Sequence, residues 1–117
     1  PASPDDIRDR WPAFEREGNI ALVVDDGASL AGIITLHRTA VLHRPKPVGR
    51  ITSLAVDEAA RGRGHGRALV DAAERELRDQ GCGQVEVTSN MRREDAHAFY
   101  LHLGYERTSY RFFKVIA

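Results

Sequence analysis

A glycine-rich segment between a strand-like run and a helix-like run constrains this chain more than any other feature. Residues 51–56 read Ile-Thr-Ser-Leu-Ala-Val, a pattern typical of a strand, and apolar residues recur at helical spacing from residue 69 onward. Between them lie three glycines, Gly62, Gly64 and Gly66, that alternate with basic residues. Glycine lets backbone N–H groups converge without a side chain in the way, and a helix N-terminus adds unpaired donors. The segment therefore predicts a phosphate-binding loop.

The spacing of these glycines excludes two common phosphate-binding motifs. A P-loop needs Gly-Lys-Ser/Thr, whereas this chain has Gly66-Arg67-Ala68. A G-x-G-x-x-G motif fails because its last glycine would fall on Arg67 or Leu69. Glu86 lies about where a ribose-binding carboxylate would lie, so a mononucleotide-binding domain stays open, although further βα units are missing. The alternative is a surface turn that binds no ligand, and the interleaved arginines weigh against it.

Patterns along the rest of the chain predict one α/β domain over residues 1–117. Ser3-Pro4-Asp5-Asp6 predicts a helix start, and Pro12 is expected to break or kink that helix. Gly81 is expected to end the helix that follows the loop. Strands are predicted over 19–24, 30–42, 48–56 and 84–88, a last helix over 93–103, and a hairpin over 105–108 and 111–116. This order predicts a mixed sheet flanked by helices.

Charge and composition narrow the classes of partner. The 117 residues carry 17 basic and 17 acidic side chains, so a nucleic-acid binder with a broad positive field is not expected. No run approaches the ~20 apolar residues of a membrane span, and no signal peptide is recognisable. The single cysteine, Cys82, excludes an internal disulfide and fits the cytoplasm, where we expect the protein. A homodimer is compatible with the sequence.

Two motifs resemble those of the GNAT N-acetyltransferase superfamily. Arg61-x-x-Gly64-x-Gly66 matches the Q/R-x-x-G-x-G/A signature, and residues 54–56 are similar to the strand that binds acetyl-CoA. Asn90, the run Ala96-His97-Ala98-Phe99-Tyr100 and Gly104-Tyr105 resemble the second cofactor motif. The likeness extends from Gly27 to the C-terminus. It implies a GNAT-like fold with a mixed, mostly antiparallel sheet, in which the N-terminal strand and helix that usually precede the equivalent of Asp5 are absent.

A narrower likeness is to aminoalkylphosphonate N-acetyltransferases. It rests on residues 90–105, on the tail Tyr110-Arg111-Phe112-Phe113-Lys114, and on the pairs Leu36-His37 and Leu42-His43. Relatives of unknown substrate carry similar tails.

The resemblance implies transfer of an acetyl group from acetyl-CoA, the cosubstrate, to a primary amine of a small molecule. Strand N–H groups near Val56 would polarise the thioester carbonyl, and Tyr100 would protonate the departing thiolate. On helical spacing alone Tyr100 would be a core residue, and Asn90, expected to bond the pantetheine amides, could be a turn residue. The cofactor-binding residues implied are Leu54, Ala55, Val56, Arg61, Gly62, Arg63, Gly64, His65, Gly66, Arg67, Asn90 and Phe99.

The general base is less defined by the sequence. Glu86 alternates with Val85 and Val87, so it is either a base, acting through water, or a solvent-facing strand residue. His37 and His43 would share one face of an unbroken strand and could be base, substrate contacts or ordinary polar residues. Two histidines do not define a metal site, so no metal is expected. Cys82 has no base partner and is interpreted as structural. A module that binds CoA without turnover is the alternative function.

Overall fold

The computed structural model describes residues 3–27, 29–88, 94–109 and 111–117, with Glu94 described by its backbone alone. The chain divides into two compact units, Pro1–Val87 and Thr88–Ala117. The first unit contains α1 (Pro4–Arg16), β1 (Ile20–Asp25), β2 (Leu30–Thr39), β3 (Val48–Val56), a 3-10 turn (Glu58–Ala60), α2 (His65–Asp79) and β4 (Gln84–Val87). The second unit contains α3 (Glu94–His102).

The four strands form one sheet in the order β1-β2-β3-β4. β1, β2 and β3 pair antiparallel, whereas β4 pairs parallel to β3. α2 connects the parallel strands, as a parallel pair requires a crossover. The predicted α/β class with a mixed, mostly antiparallel sheet is confirmed.

The core lies between α2 and one face of the sheet. α2 buries Leu69, Val70, Ala73 and Leu77, which recur at helical spacing. The sheet supplies the other side of this core with the buried residues Ile34, Leu36 and Ile51. Burying a leucine side chain typically contributes about 1.5–3 kcal/mol, so this layer holds α2 in place. The predicted helix stop at Gly81 is confirmed, since α2 ends at Asp79 and Gly81 has a φ of +86°.

α1 begins as predicted but is not interrupted. Ser3 accepts a hydrogen bond from the Asp6 N–H while the Asp6 carboxylate accepts one from the Ser3 N–H, which completes a capping box. Hydrogen bonding to Ser3 lowers the pKa of the Asp6 carboxyl. The helix continues through Pro12 to Arg16, so the expected break is wrong. Proline lacks an N–H donor and its ring crowds the preceding turn, yet the capped helix of 13 residues continues through it.

β2 is shorter than predicted and ends at Thr39 instead of residue 42. Its last residue pairs with Val48, the first residue of β3. A longer β2 would need partners among residues 45–47, where Pro45 and Pro47 have no N–H to donate. The chain therefore turns at residues 40–47, and His43 lies exposed in that loop.

The predicted C-terminal hairpin is also wrong for the residues that the structure describes there. Residues 105–109 and 111–117 contain no strand. The described part of the second unit has no other strand on which a hairpin could form, and an isolated hairpin is marginal in water. Large apolar side chains consequently remain exposed, namely Phe112, Phe113, Val115 and Ile116.

Candidate active site

The glycine-rich loop takes a backbone shape that only glycine adopts readily. Gly62 and Gly64 both have a φ of +80°, in the left-handed region. Gly64 is the N-cap of α2, and no side chain caps this helix end. A Cβ placed on Gly64 would meet nothing within 4 Å. As at every helix N-terminus, the first N–H groups of α2 have no intrahelical partner.

Basic side chains surround this helix end, and α2 has no acidic residue in its first turn. Arg61 donates from Nε to the Val56 carbonyl at 3.4 Å, which ties the loop to the end of β3. Arg63 and Arg67 are exposed and make no hydrogen bond or ion pair with any residue that the structure describes. The positive end of the helix dipole and three guanidinium groups together favour a polyanion here.

β3 and β4 stop pairing halfway along β3. Their parallel ladder runs from Val48↔Gln84 to Ile51↔Val87. Beyond it, the register with β2 shifts at Thr52, and residues 53–56 of β3 pair with β2 on one side and with no described strand on the other. Among the described residues, this leaves an open backbone edge at Leu54, Ala55 and Val56 that leads directly to the glycine-rich loop.

The open edge and the loop fit two adjoining parts of acetyl-CoA, the pantetheine arm and the pyrophosphate. Unpaired N–H groups and arginines suit the pyrophosphate, whereas a strand edge suits the two amides of the pantetheine arm. His65, the first residue of α2, turns its side chain away from solvent. Its Nε2 atom is buried without a hydrogen-bond partner in the described part of the chain.

Glu86 is held by a residue that the sequence analysis missed. Arg50 donates from Nε to Glu86 Oε1 at 2.9 Å, across paired positions of β3 and β4. The two side chains are 56% and 44% exposed. They lie one register position before the strands separate, next to Ile51. Arg50 alternates with the buried Gly49 and Ile51, a pattern that marks an outward-facing charge, but its partner depends on the strand register.

The two candidate histidines do not share a strand, since His37 lies on β2 and His43 in the loop after it. His37 has partners at both ring nitrogens, with Nδ1 2.9 Å from Thr39 Oγ1 and Nε2 3.2 Å from the Glu17 carbonyl oxygen. Because a carbonyl only accepts, Nε2 carries the proton in this arrangement. No group of three or more potential metal ligands occurs among the described residues. Burial raises the pKa of the Cys82 thiol, an effect that the positive charge of Arg38 opposes, so the thiol is a weak nucleophile.

The aromatic residues of the second motif lie in the second unit. Phe99 and Tyr100 are half-buried on α3, with ring centroids 5.1 Å apart in an edge-to-face arrangement. Tyr100 also packs edge-to-face on Tyr105 at 5.6 Å. Asn90 lies outside the described residues.

Comparison with known families decides the assignment. The model of the acetyltransferase (GNAT) family matches residues 1–105, most of the chain. The chain belongs to the GNAT family. The match includes the loop, the open edge of β3, the Arg50–Glu86 pair and α3, and it reaches further toward the N-terminus than the sequence resemblance did.

Individual relatives agree with this assignment. The chain is 38% identical over 87 residues to the aminoalkylphosphonate N-acetyltransferase of Salmonella typhimurium, an alignment that covers 74% of this chain and 56% of the relative. The chain thus spans little more than half the length of that relative. Two crystal structures share the GNAT fold of this chain, and each is 24% identical to it and covers 99% of it. One is a transcriptional regulator from Bacillus halodurans C-125 (TM-score 0.87, 78% of that chain), and the other is an acetyltransferase from Trypanosoma brucei (0.84, 82%).

None of the described helices is long and apolar enough to cross a membrane.

Proposed function

We propose that this GNAT chain is an N-acetyltransferase that transfers the acetyl group of acetyl-CoA to a primary amine of a small molecule. The observation that carries the proposal is the continuity of the uncapped α2 N-terminus with the open edge of β3. One feature suits a pyrophosphate and the other an extended chain bearing amides, and CoA has both in that order. The family and the named acetyltransferase relative support the same assignment.

The residues of the chain would divide the work as follows. The N–H groups at the start of α2, with Arg61, Arg63 and Arg67, would hold the pyrophosphate. The edge of β3 at residues 54–56 would hold the pantetheine arm. Acetyl-CoA supplies a thioester carbonyl that an amine can attack.

Two side chains would carry out the proton transfers, one carboxylate and one phenol. An alkylamine has a pKa near ~10 and is mostly charged at neutral pH, so it must lose a proton before it can attack. Glu86 would accept that proton at Oε2, the oxygen that Arg50 Nε does not contact. Tyr100 would donate its hydroxyl proton to the sulfur of the departing thiolate, the role that the second motif implies. Phe99 and Asn90 would complete the cofactor contacts.

A turnover assay tests this proposal. Purified protein is mixed with acetyl-CoA and a panel of primary amines, and released thiol and N-acetylated product are both measured. We expect amine-dependent thiol release in a one-to-one ratio with acetylated product. Tight CoA binding without any product would instead favour the CoA-binding module that does not turn over. Stronger binding of mononucleotides than of CoA would contradict both.

A further inference from the structure

The Arg50–Glu86 pair has unused hydrogen-bonding capacity on both sides. Arg50 uses Nε alone, one of the five N–H donors of a guanidinium, and Glu86 uses Oε1 alone. In the part of the chain that the structure describes, neither residue makes another hydrogen bond or ion pair. About half of each side chain is exposed, so the Arg50 guanidinium and the Glu86 carboxylate can both contact the same ligand.

The pair projects from the sheet face opposite α2. Gly49 and Ile51 face α2, since a Cβ on Gly49 would touch Leu77 and Ile51 is buried. Side chains alternate along a strand, so Arg50 points to the other face. His37, the β2 partner of Arg50, has both ring nitrogens engaged, so it does not compete for a ligand.

The surface beside the pair is polar as well. Thr35 Oγ1 lies 2.7 Å from Thr52 Oγ1 and also contacts the Ser53 hydroxyl. The Thr52 and Ser53 hydroxyls follow Arg50 along β3, on the stretch where β3 has left β4, and Thr35 lies opposite them on β2. A ligand on Arg50 and Glu86 would therefore lie where β3 and β4 begin to separate. The open edge of β3 that suits the pantetheine arm starts just beyond this point.

We propose that Arg50 and Glu86 form the acceptor subsite and select primary amines that also carry an acidic group. This inference rests on the proposed function. The ammonium group of such a molecule matches the Glu86 carboxylate, and its carboxylate, phosphonate or sulfonate matches the free Nη1 and Nη2 donors of Arg50, which suit bidentate recognition. A zwitterion satisfies both charges at once. A neutral-tailed amine leaves Arg50 unsatisfied, and a diamine places a second positive charge beside it.

Matched acceptors test the inference in the acetylation assay. The acid-bearing probes are 3-aminopropionate, 2-aminoethylphosphonate and 2-aminoethanesulfonate, and propylamine and 1,3-diaminopropane lack the acid. We expect kcat/KM for at least one acid-bearing probe to exceed that for propylamine by about tenfold or more, since hydrogen bonds between charged groups are the strong ones. The three probes distinguish which acid is preferred.

Substitution of Arg50 then assigns the effect. Arg50→Gln should lower kcat/KM for acid-bearing amines about 10- to 100-fold more than for propylamine, and the difference should lie mainly in KM. Arg50→Lys should retain part of the preference, because the charge stays while the bidentate fork is lost. As a control, Arg75→Gln on the exposed side of α2 removes the same charge and should leave kcat/KM unchanged for both classes of amine. Equal losses for both amine classes, or a wild-type preference for propylamine, would overturn the inference.

A binding measurement keeps this inference separate from the proposed function. With CoA present, 3-aminopropionate should shift the backbone amide NMR signals of Arg50 and Glu86, and the shifts should vanish in a folded Arg50→Gln variant. If acetylation fails for every amine but these shifts occur, the proposed function is wrong and the subsite stands. If acetylation proceeds without them, the subsite is wrong.

Discussion

Gly49 on β3 lies directly against Leu77 on α2, so closely that a Cβ on the glycine would be 2.6 Å from Leu77 Cδ1. Leu77 is fully buried, so it can make room only by displacing its neighbours in a close-packed core. Gly49→Ala should therefore destabilise the protein by about 1–3 kcal/mol, the usual range for an overpacked core. Urea unfolding measures this. The cost of Gly49→Ala should fall in a Leu77→Ala background, and an unchanged cost would show that the contact is not its cause.

Two glycines of the loop should respond in opposite ways to alanine. Gly64 has a positive φ, so Gly64→Ala should lower the free energy of unfolding by about 1–2 kcal/mol and weaken CoA binding. Gly66 lies within the first turn of α2, so Gly66→Ala should raise stability by about 0.5–1 kcal/mol. The GNAT signature accepts Gly or Ala there, and CoA affinity should survive, whereas the β-branched Gly66→Val should block the phosphate. Calorimetric titration with CoA measures these affinities. Full affinity in a folded Gly64→Ala variant would contradict the loop assignment.

The arginines of the loop should distinguish phosphate-bearing ligands from others. Arg63→Ala should weaken CoA binding about tenfold, because a charge-assisted hydrogen bond contributes on the order of 1.5 kcal/mol. Arg61→Ala should act in the same direction and also remove the contact with the Val56 carbonyl. Pantetheine, which lacks the pyrophosphate, should bind either variant nearly as well as it binds the wild type. Equal losses for the two ligands would mean that these arginines do not contact phosphate.

Removal of the Tyr100 hydroxyl tests the proposed acid. Tyr100→Phe keeps the ring contacts with Phe99 and Tyr105 and should lower kcat by about 10²–10⁴, the usual contribution of general acid catalysis. The CoA dissociation constant should stay nearly unchanged. The loss should be smaller with an acyl donor whose thiol is more acidic, since that thiolate needs less help to depart. Full turnover, or a loss of melting temperature without a loss of rate, would assign Tyr100 a different role.

Cys82 should report its own burial through its reaction with iodoacetamide. Burial raises the pKa of its thiol, so less reactive thiolate is present at a given pH in the folded protein than in the unfolded chain. The alkylation rate of folded protein should lie below that of urea-unfolded protein at pH 8, and should keep rising with pH after the unfolded rate has levelled off. Since the chain has one cysteine, mass spectrometry of the whole protein suffices. A folded rate that levels off first would contradict the raised pKa.

Features with a local cause were predictable from the sequence. The bounds of β3, the start of α1 and the end of α2 before Gly81 follow from neighbouring residues. The end of β2 at Thr39 could not be predicted in this way, because it depends on prolines in the facing segment of the chain. The C-terminal hairpin failed for a related reason, since two strand-like runs need a supporting sheet.

The site was predictable in the same uneven way. Its loop is one continuous segment with a signature, and the structure gives Gly62 and Gly64 the backbone conformation that such a loop requires. Arg50 could not be paired with Glu86 from sequence, because 36 residues separate them and only the parallel register joins them. The role of each residue in catalysis stays a prediction.

The open length of β3 has a consequence for how freely its sequence can vary. Between residues 52 and 56, the main-chain groups that do not pair with β2 face the side that β4 has left, and every amino acid except proline carries the same donor and acceptor. A ligand that docks as an added strand would be indifferent to which side chains occupy Leu54 and Ala55, provided that the strand persists. We therefore expect most substitutions at these positions to leave binding of the ligand intact, with proline as the exception. Related chains could then differ in sequence here and still bind the same ligand through the backbone.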